Sequence, residues 1–272
     1  MIREMQMRNY SERSVNSYIA SMSKLAKYFN LSPDKVSIDQ FKDYLHYIIT
    51  VEKLSVSTIN QTISAFKILR QDVLGLEWEP VRIKRPRREK KLPVVLTTGE
   101  VARMISLTAN IKHRALLAVA YASGLRRAET RTLKPCDIDP EGMRIHVVSG
   151  KGKKDRYTLL SQKALELLRA YYKVERPVKY LFEPAGKKGK YMGQETINKI
   201  AKIAASRAGI KKKISFHTLR HCFATHLLEK GVNLRLIQQF MGHSSINTTA
   251  MYLHIANISP GSITSPLDDM DI

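Results

Sequence analysis

Residues 80–93 read Pro80-Val81-Arg82-Ile83-Lys84-Arg85-Pro86-Arg87-Arg88-Glu89-Lys90-Lys91-Leu92-Pro93, and no other stretch limits the possible folds as much. Its three prolines remove backbone donors and lock φ, which discourages helix and strand alike. Its seven Lys and Arg side chains repel one another and extend the segment. The 272-residue chain is therefore read as two folded bodies joined by a basic tether, a length that suits two domains. Such a tether can be a solvated connector and nothing more. Its place between two ordered segments of a basic chain favours one lying along phosphates, with Lys84, Arg85, Arg87 and Arg88 as candidate contacts.

The two flanks carry different patterns. Before the tether, Val15, Ile19, Met22, Leu25, Ala26 and Phe29 recur at three- and four-residue spacing, predicting a helix over 14–29. Ser37 and Gln40 form a capping start for a second helix bearing Phe41, Tyr44, Leu45 and Ile48. A third helix is expected from Ser57 to Leu74, giving a compact bundle. After the tether, helices are expected at 99–107 and around Ala115–Tyr121, followed by a hairpin. Alternating residues at 143–148 and 156–160 flank Gly150-Lys151-Gly152-Lys153, a turn rich in glycine. Helices over 162–172, 195–208 and 216–230 follow, the last two closed by Gly209 and Gly231.

Charge narrows the partner. Lys and Arg total 46 against 24 Asp and Glu, a formal balance of +22. A field of that sign concentrates polyanions, so nucleic acid is favoured over mere solubility or ribosome-like RNA association. Cys136 and Cys222 stand far apart with no CxxC pair, which argues against a disulfide scaffold or zinc ribbon. The N-terminus lacks the apolar core of a secretory signal, and no apolar run is long enough to span a bilayer. A cytoplasmic, nucleoid-associated protein without membrane contact is expected.

The helix from Phe216 carries the first chemistry. Helical periodicity places Leu219, Cys222, Phe223 and His226 on one side and His217, Arg220, His221 and Ala224 on the other. A guanidinium and an imidazole on an open face suit a phosphodiester: the first binds two oxygens, the second can bond or move a proton near neutrality. A zinc reading of His217, His221 and His226 competes. It lacks the glutamate of an HExxH helix, places His226 on the buried side, and sets Arg220 beside the cation. Downstream, Gly242-His243 precedes Tyr252, a tyrosine that taken alone would be ordinary packing.

Together the blocks form an order: Gly124-Leu125-Arg126-Arg127-Ala128-Glu129, Gly150-Lys151-Gly152-Lys153, His217-Thr218-Leu219-Arg220-His221, Gly242-His243, Tyr252. In this the chain resembles the tyrosine recombinase family, also called phage integrases, and most closely its bacterial and archaeal Xer-type members. The resemblance runs through almost the whole chain. It implies a mostly α fold with a small antiparallel β-sheet, in a two-domain architecture: a helical core-DNA-binding domain over 1–79, a basic linker over 80–95, and an α+β catalytic domain with a C-terminal tail over 96–272. It also implies Arg126 and Arg220 on the scissile phosphate, with His217 and His243 beside them. Lys151 would be general acid, Tyr252 the nucleophile and Glu129 a supporting residue. The substrate would be double-stranded DNA with paired recombination sites, acted on by a tetramer that exchanges strands through a Holliday junction.

That chemistry is coherent. A phenol with a pKa near 10 needs help to lose its proton. Two guanidiniums offset charge gathering on the phosphorane oxygens, and an ammonium protonates the departing alkoxide. No metal or nucleotide cofactor is then required. Departures from the family pattern are the doubled Arg126-Arg127, Thr130 in place of an apolar residue, and Lys153 and Lys154 close to Lys151. The tail, with Ser265-Pro266-Leu267-Asp268, is similar to the ends of integron integrases. The short stretch between Lys151 and His217 leaves little room for their extra helical insertion, which favours a Xer-like duplex substrate. Asp268, Asp269 and Asp271 suggest a tail docking on a neighbouring subunit rather than a frayed end. Two rivals remain: a type IB topoisomerase-like activity, and a DNA-binding regulator that kept the fold but lost catalysis.

Overall fold

The computed structural model describes residues 1–78, 92–148 and 155–256. The candidate contacts Lys84, Arg85, Arg87, Arg88 and Lys151, the neighbouring Lys153 and Lys154, and the tail from 257 onward lie outside the described residues. Chain contacts divide the protein into two units, Met1–Lys91 and Leu92–Ile272.

The first unit is helical. A short α1 (Ile2–Met7) leads into α2 (Glu12–Phe29), α3 (Ile38–Thr50) and α4 (Val56–Lys67). The expected third helix reaches its full length only by changing its winding, continuing as a π-helical segment over Ile68–Val73. Ser37 and Gln40 form the reciprocal capping box expected at the start of α3. The apolar stripes meet in one core of Met22, Leu25, Phe41, Leu45, Ile48, Ile59, Ile63 and Phe66, with the rings of Phe41 and Phe66 stacked.

The second unit is α+β. Helices α5 (Thr98–Ser106) and α6 (Ile111–Ser123) precede the short α7 (Arg127–Thr132). The hairpin pairs β2 (Arg144–Val147) with β3 (Arg156–Leu159) antiparallel, Ile145 opposite Thr158. A two-residue β1 (Ile138–Asp139) completes the three-stranded sheet, a strand too short to leave a periodicity. Then come α8 (Gln162–Glu175), α9 (Gln194–Arg207), α10 (Phe216–Glu229), α11 (Leu234–Met241), α12 (Ile246–Ala250) and a 3₁₀ turn, Met251–His254. The short helices α7, α11 and α12 were not anticipated; one or two turns cannot show a repeat. Among the described residues, no helix is long and apolar enough to cross a membrane.

Helix α10 corrects the sequence picture of an open polar face. Arg220 is 1% exposed and Ala224 is fully buried, so α10 is packed nearly all round. Its Leu219 and Cys222 belong to the main core, while Phe223, Ala224 and Leu228 form a satellite core with Ile237, Met241 and Tyr252. Gly124, which ends α6, makes this packing possible. Its φ is +59°, and a Cβ there would lie 2.3 Å from Cδ1 of Phe223. Gly124→Ala is expected to cost roughly 2–5 kcal/mol, from left-handed strain plus overpacking. A denaturant midpoint equal to that of the wild type would refute this account of the turn.

Candidate active site

Three arginines from three elements converge on one helix end. The last carbonyls of a helix have no partner within it and sit at the negative end of its dipole. At the end of α11, Phe240 O accepts from Arg156 Nε at 2.8 Å, Met241 O from Arg220 Nη2 at 2.6 Å, and Gly242 O from Arg126 Nη2. Arg220 Nη1 also donates to the carbonyl of Gly124, the glycine closing α6. Both glycines hold positive φ, so each chain turns away after presenting its carbonyl. At Gly242 a Cβ would meet Arg156 Cδ at 2.7 Å.

Glu129 ties two of these cations together. Arg156 grips it bidentately, Nη1 to Oε1 at 2.9 Å and Nη2 to Oε2 at 2.7 Å, while Arg126 Nη1 donates to Oε1 at 2.7 Å. The Arg126 backbone N–H adds a bond to Oε2. Burial alone would raise the pKa of this carboxyl, but Arg156 and Arg126 outweigh it and hold it at about 2. Three guanidiniums against one carboxylate leave a formal excess of two positive charges. A guanidinium carries five N–H donors, and each of Arg126 and Arg220 spends two side-chain bonds on these anchors, which does not exhaust it.

The structure also sorts the doubled arginine. Arg127 turns away, its Nη2 donating to Gln194 of α9 at 2.8 Å, so Arg126 is the one in the cluster. Thr130 is fully buried and satisfies its hydroxyl on the carbonyl of Arg126.

The imidazoles lie around the cations. His217 has an exposed edge, yet surrounding protein and then Arg220, Arg126 and Arg127 hold its pKa down at about 4. His243 bonds Thr249 Oγ1 through Nδ1 at 2.9 Å and is pushed to about 3, by burial first and then by Arg220 and Arg126. Both are neutral at pH 7. Burial likewise lowers Arg220 to about 9, with Arg126 adding to the effect.

Tyr252 is brought to the same neighbourhood but held back. Its ring is 2% exposed in the satellite core, and its hydroxyl shares a 2.9 Å hydrogen bond with Nδ1 of His221. Burial raises its pKa to about 12, against the pull of Arg220. His226 is engaged at both nitrogens, by Tyr121 Oη and Leu96 O, each at 2.9 Å, so the three histidines of α10 do not converge. Among the described residues, no group of three His, Cys, Asp or Glu is placed to hold a metal. Two participants escaped the sequence reading. Arg156 looked like one more strand residue of the hairpin, and His221 was noted only as a motif neighbour and a weak metal candidate.

A helical unit, an α+β unit and this gathering of guanidinium, imidazole and phenol define the tyrosine recombinase class. Comparison with known proteins agrees. The pattern of the Phage integrase family matches residues 94–257, and that of the phage integrase N-terminal SAM-like domain matches residues 1–80. An integrase/recombinase of Sinorhizobium fredii is 36% identical over 98% of this chain and 87% of its own length. The tyrosine recombinase XerD of Oceanobacillus iheyensis is 31% identical over 91% of this chain and 89% of its own. The crystal structure of the site-specific recombinase XerH bound to its difH substrate before cleavage is similar with a TM-score of 0.71 and 26% identity, covering 90% of this chain and 76% of that one. The chain belongs to the Phage integrase family: it is a tyrosine recombinase, an enzyme of DNA strand cleavage and rejoining.

The Glu129 bridge has a pH signature. Its folded pKa of about 2 lies below the ordinary 4.5, so its stabilisation is complete above about pH 4.5 and is lost as pH falls towards 2. Glu129→Gln should cost about 3 kcal/mol at neutral pH, since two partly buried guanidiniums lose their counter-charge. Urea midpoints measured from pH 6 to pH 2 should fall less steeply in the variant, whereas parallel curves would exclude the assignment.

Proposed function

We propose that this recombinase cuts DNA with Tyr252, gripping the scissile phosphate with Arg126 and Arg220. Neutral His217 and His243 bond its oxygens, Lys151 serves as general acid, and Glu129 orients Arg126. The convergence of Arg126, Arg220 and Arg156 on the end of α11 is the observation that carries this reading. It supplies a cationic, partly desolvated seat of the kind a phosphodiester needs, with both histidines and the tyrosine at its border.

In the first step the Tyr252 hydroxyl passes its proton to water, a loss favoured by the charge of Arg220, and Oη attacks phosphorus. The bond from phosphorus to the 5′ oxygen breaks, and that oxygen takes a proton from the Lys151 ammonium. A 3′-phosphotyrosyl link remains and conserves the bond energy. The 5′ hydroxyl of another strand then attacks the same phosphorus and returns its proton to Lys151, while Tyr252 leaves and regains its proton from water. Bonds broken and formed are equal in kind, so strand exchange needs no nucleotide. The arginines neutralise the charge that a metal would otherwise carry.

The two units divide the work in this reading. The helical unit over 1–79 and the basic linker, through Lys84, Arg85, Arg87 and Arg88, hold duplex DNA, and the unit from 96 onward performs the chemistry. Four subunits on paired sites would exchange strands through a Holliday junction, in a protein associated with the nucleoid. The tail would link neighbouring subunits. A cavity of about 700 Å³ between α5, α6, α8 and α10, walled by Ile105, Ala118, Leu167 and Leu227 with Arg114, Lys163 and Lys230 at its edge, offers a receptor for it. Apolar Leu267, Met270 and Ile272 alternate in the tail with Asp268, Asp269 and Asp271, a match in polarity and charge.

A nicked suicide duplex should become covalently joined to the wild type, while Tyr252→Phe binds the same DNA and traps none; equal trapping by the variant would remove Tyr252 from its role. This assay also separates the enzyme from a regulator that binds without cutting. Recombination of plasmids carrying two sites separates it from a topoisomerase, which would only relax them. Deleting residues 257–272 should leave single-subunit binding in gel shifts intact and abolish the slower-migrating assemblies. Unaltered assembly would discard the docking role.

A further inference from the structure

The Tyr252 side chain has one polar atom, and among the described residues one side chain hydrogen-bonds it. The ring is buried in one apolar cluster with Phe223, Ala224, Leu228, Ile237 and Met241, surroundings that confine the phenol without choosing where its oxygen points. The choice is made by the 2.9 Å bond to Nδ1 of His221. His221 follows Arg220 directly on α10 and lies one turn after His217, whose ring it meets edge to face with centroids 4.7 Å apart. The phenol oxygen is thereby tied to the same helix that carries Arg220, at the border of the arginine cluster. No role in the reaction has so far been given to this histidine.

We propose that His221 is a positioning residue for Tyr252, its Nδ1 accepting the phenolic hydrogen bond and fixing the oxygen at the edge of the phosphate seat. This deepens the reading of Tyr252 as nucleophile and rests on it. A buried hydroxyl without an acceptor is costly, so without His221 the phenol would rotate or withdraw in search of another partner. Attack needs the oxygen close to one line of approach to phosphorus, and loss of a single orienting bond is felt in the rate. His221 is not assigned as the base. Burial, then His217 and Arg220, hold its imidazole at about 4, too weak to keep a phenol's proton. Its contribution is geometric.

Asparagine separates geometry from the ring, because its side-chain oxygen can stand where Nδ1 stands and accept the same bond. Single-turnover capture on a nicked suicide duplex should be about tenfold slower in His221→Phe, the loss expected for one hydrogen bond. The DNA concentration giving half-maximal rate should not change, which a misfolded or poorly binding variant could not satisfy. His221→Asn should recover most of the lost rate. Capture by His221→Phe at or above the wild-type rate would overturn the proposal, the faster case meaning that His221 restrains Tyr252. An Asn variant as slow as the Phe variant would overturn it too, since the ring rather than the bond would then matter. Wild type and Tyr252→Phe run alongside keep the two readings apart. If the Tyr252→Phe protein is captured, the nucleophile is wrong; if Tyr252→Phe is not captured and His221→Phe is captured at the wild-type rate, the positioning role alone fails.

Discussion

The end of helix α11 is the point on which the site depends. Three successive carbonyls, from Phe240, Met241 and Gly242, each accept a bond from a different arginine, and those arginines come from β3, α10 and the turn before α7. Burying a guanidinium is costly unless its donors are met. A helix C-terminus is well suited to meet them, because its carbonyls are unpaired and its dipole is negative there. The same contacts join four stretches of chain into one seat. Removing any of them would leave a buried or partly buried cation and carbonyl short of a partner.

Seating arginines on neutral carbonyls has a chemical consequence. Had each cation been matched by a carboxylate, the site would be neutral and would offer little to a phosphate. Here Glu129 serves two arginines at once, and the rest of the anchoring comes from backbone dipoles, so positive charge survives in a partly desolvated place. That charge also explains the neutral state of the histidines. His217 and His243 are pushed well down, first by burial and then by the arginines around them, so in the proposed reaction they would meet a phosphate as hydrogen-bonding groups rather than as further cations.

Tyr252 is held differently from the arginines. The arginines are locked by several bonds each, while Tyr252 sits on a 3₁₀ turn near the end of the described chain and is held by an apolar cage and one hydrogen bond. A phenol raised to about 12 and nearly enclosed is chemically quiet. As the proposed nucleophile its oxygen would turn towards phosphorus, and a group held by a single side-chain hydrogen bond can do so without disturbing the arginines. Rigidity in the arginine cluster and lighter restraint on the proposed nucleophile are therefore built from different interactions.

Much of this was legible in the sequence. The long helices α2, α3, α8, α9 and α10 follow from their periodicity, and the β2–β3 hairpin from alternation around its glycine-rich turn. The basic charge pointed to a polyanion, and the order of Arg126, His217, Arg220, His243 and Tyr252 carried the resemblance to tyrosine recombinases that implied phosphate chemistry. Short α7, α11 and α12 stayed hidden, since a helix of one or two turns shows no repeat. Arg156 and His221 stayed hidden as well: their importance lies in what they touch, Glu129 and Phe240 in one case, the Tyr252 hydroxyl in the other. The linear chain decided which chemical groups are present and which long elements form, since both depend on local composition and spacing. Only the tertiary structure decided that Arg126 rather than Arg127 joins the cluster, that Arg220 is buried instead of displayed, and that the phenol rests on an imidazole, because each follows from packing between residues far apart along the chain.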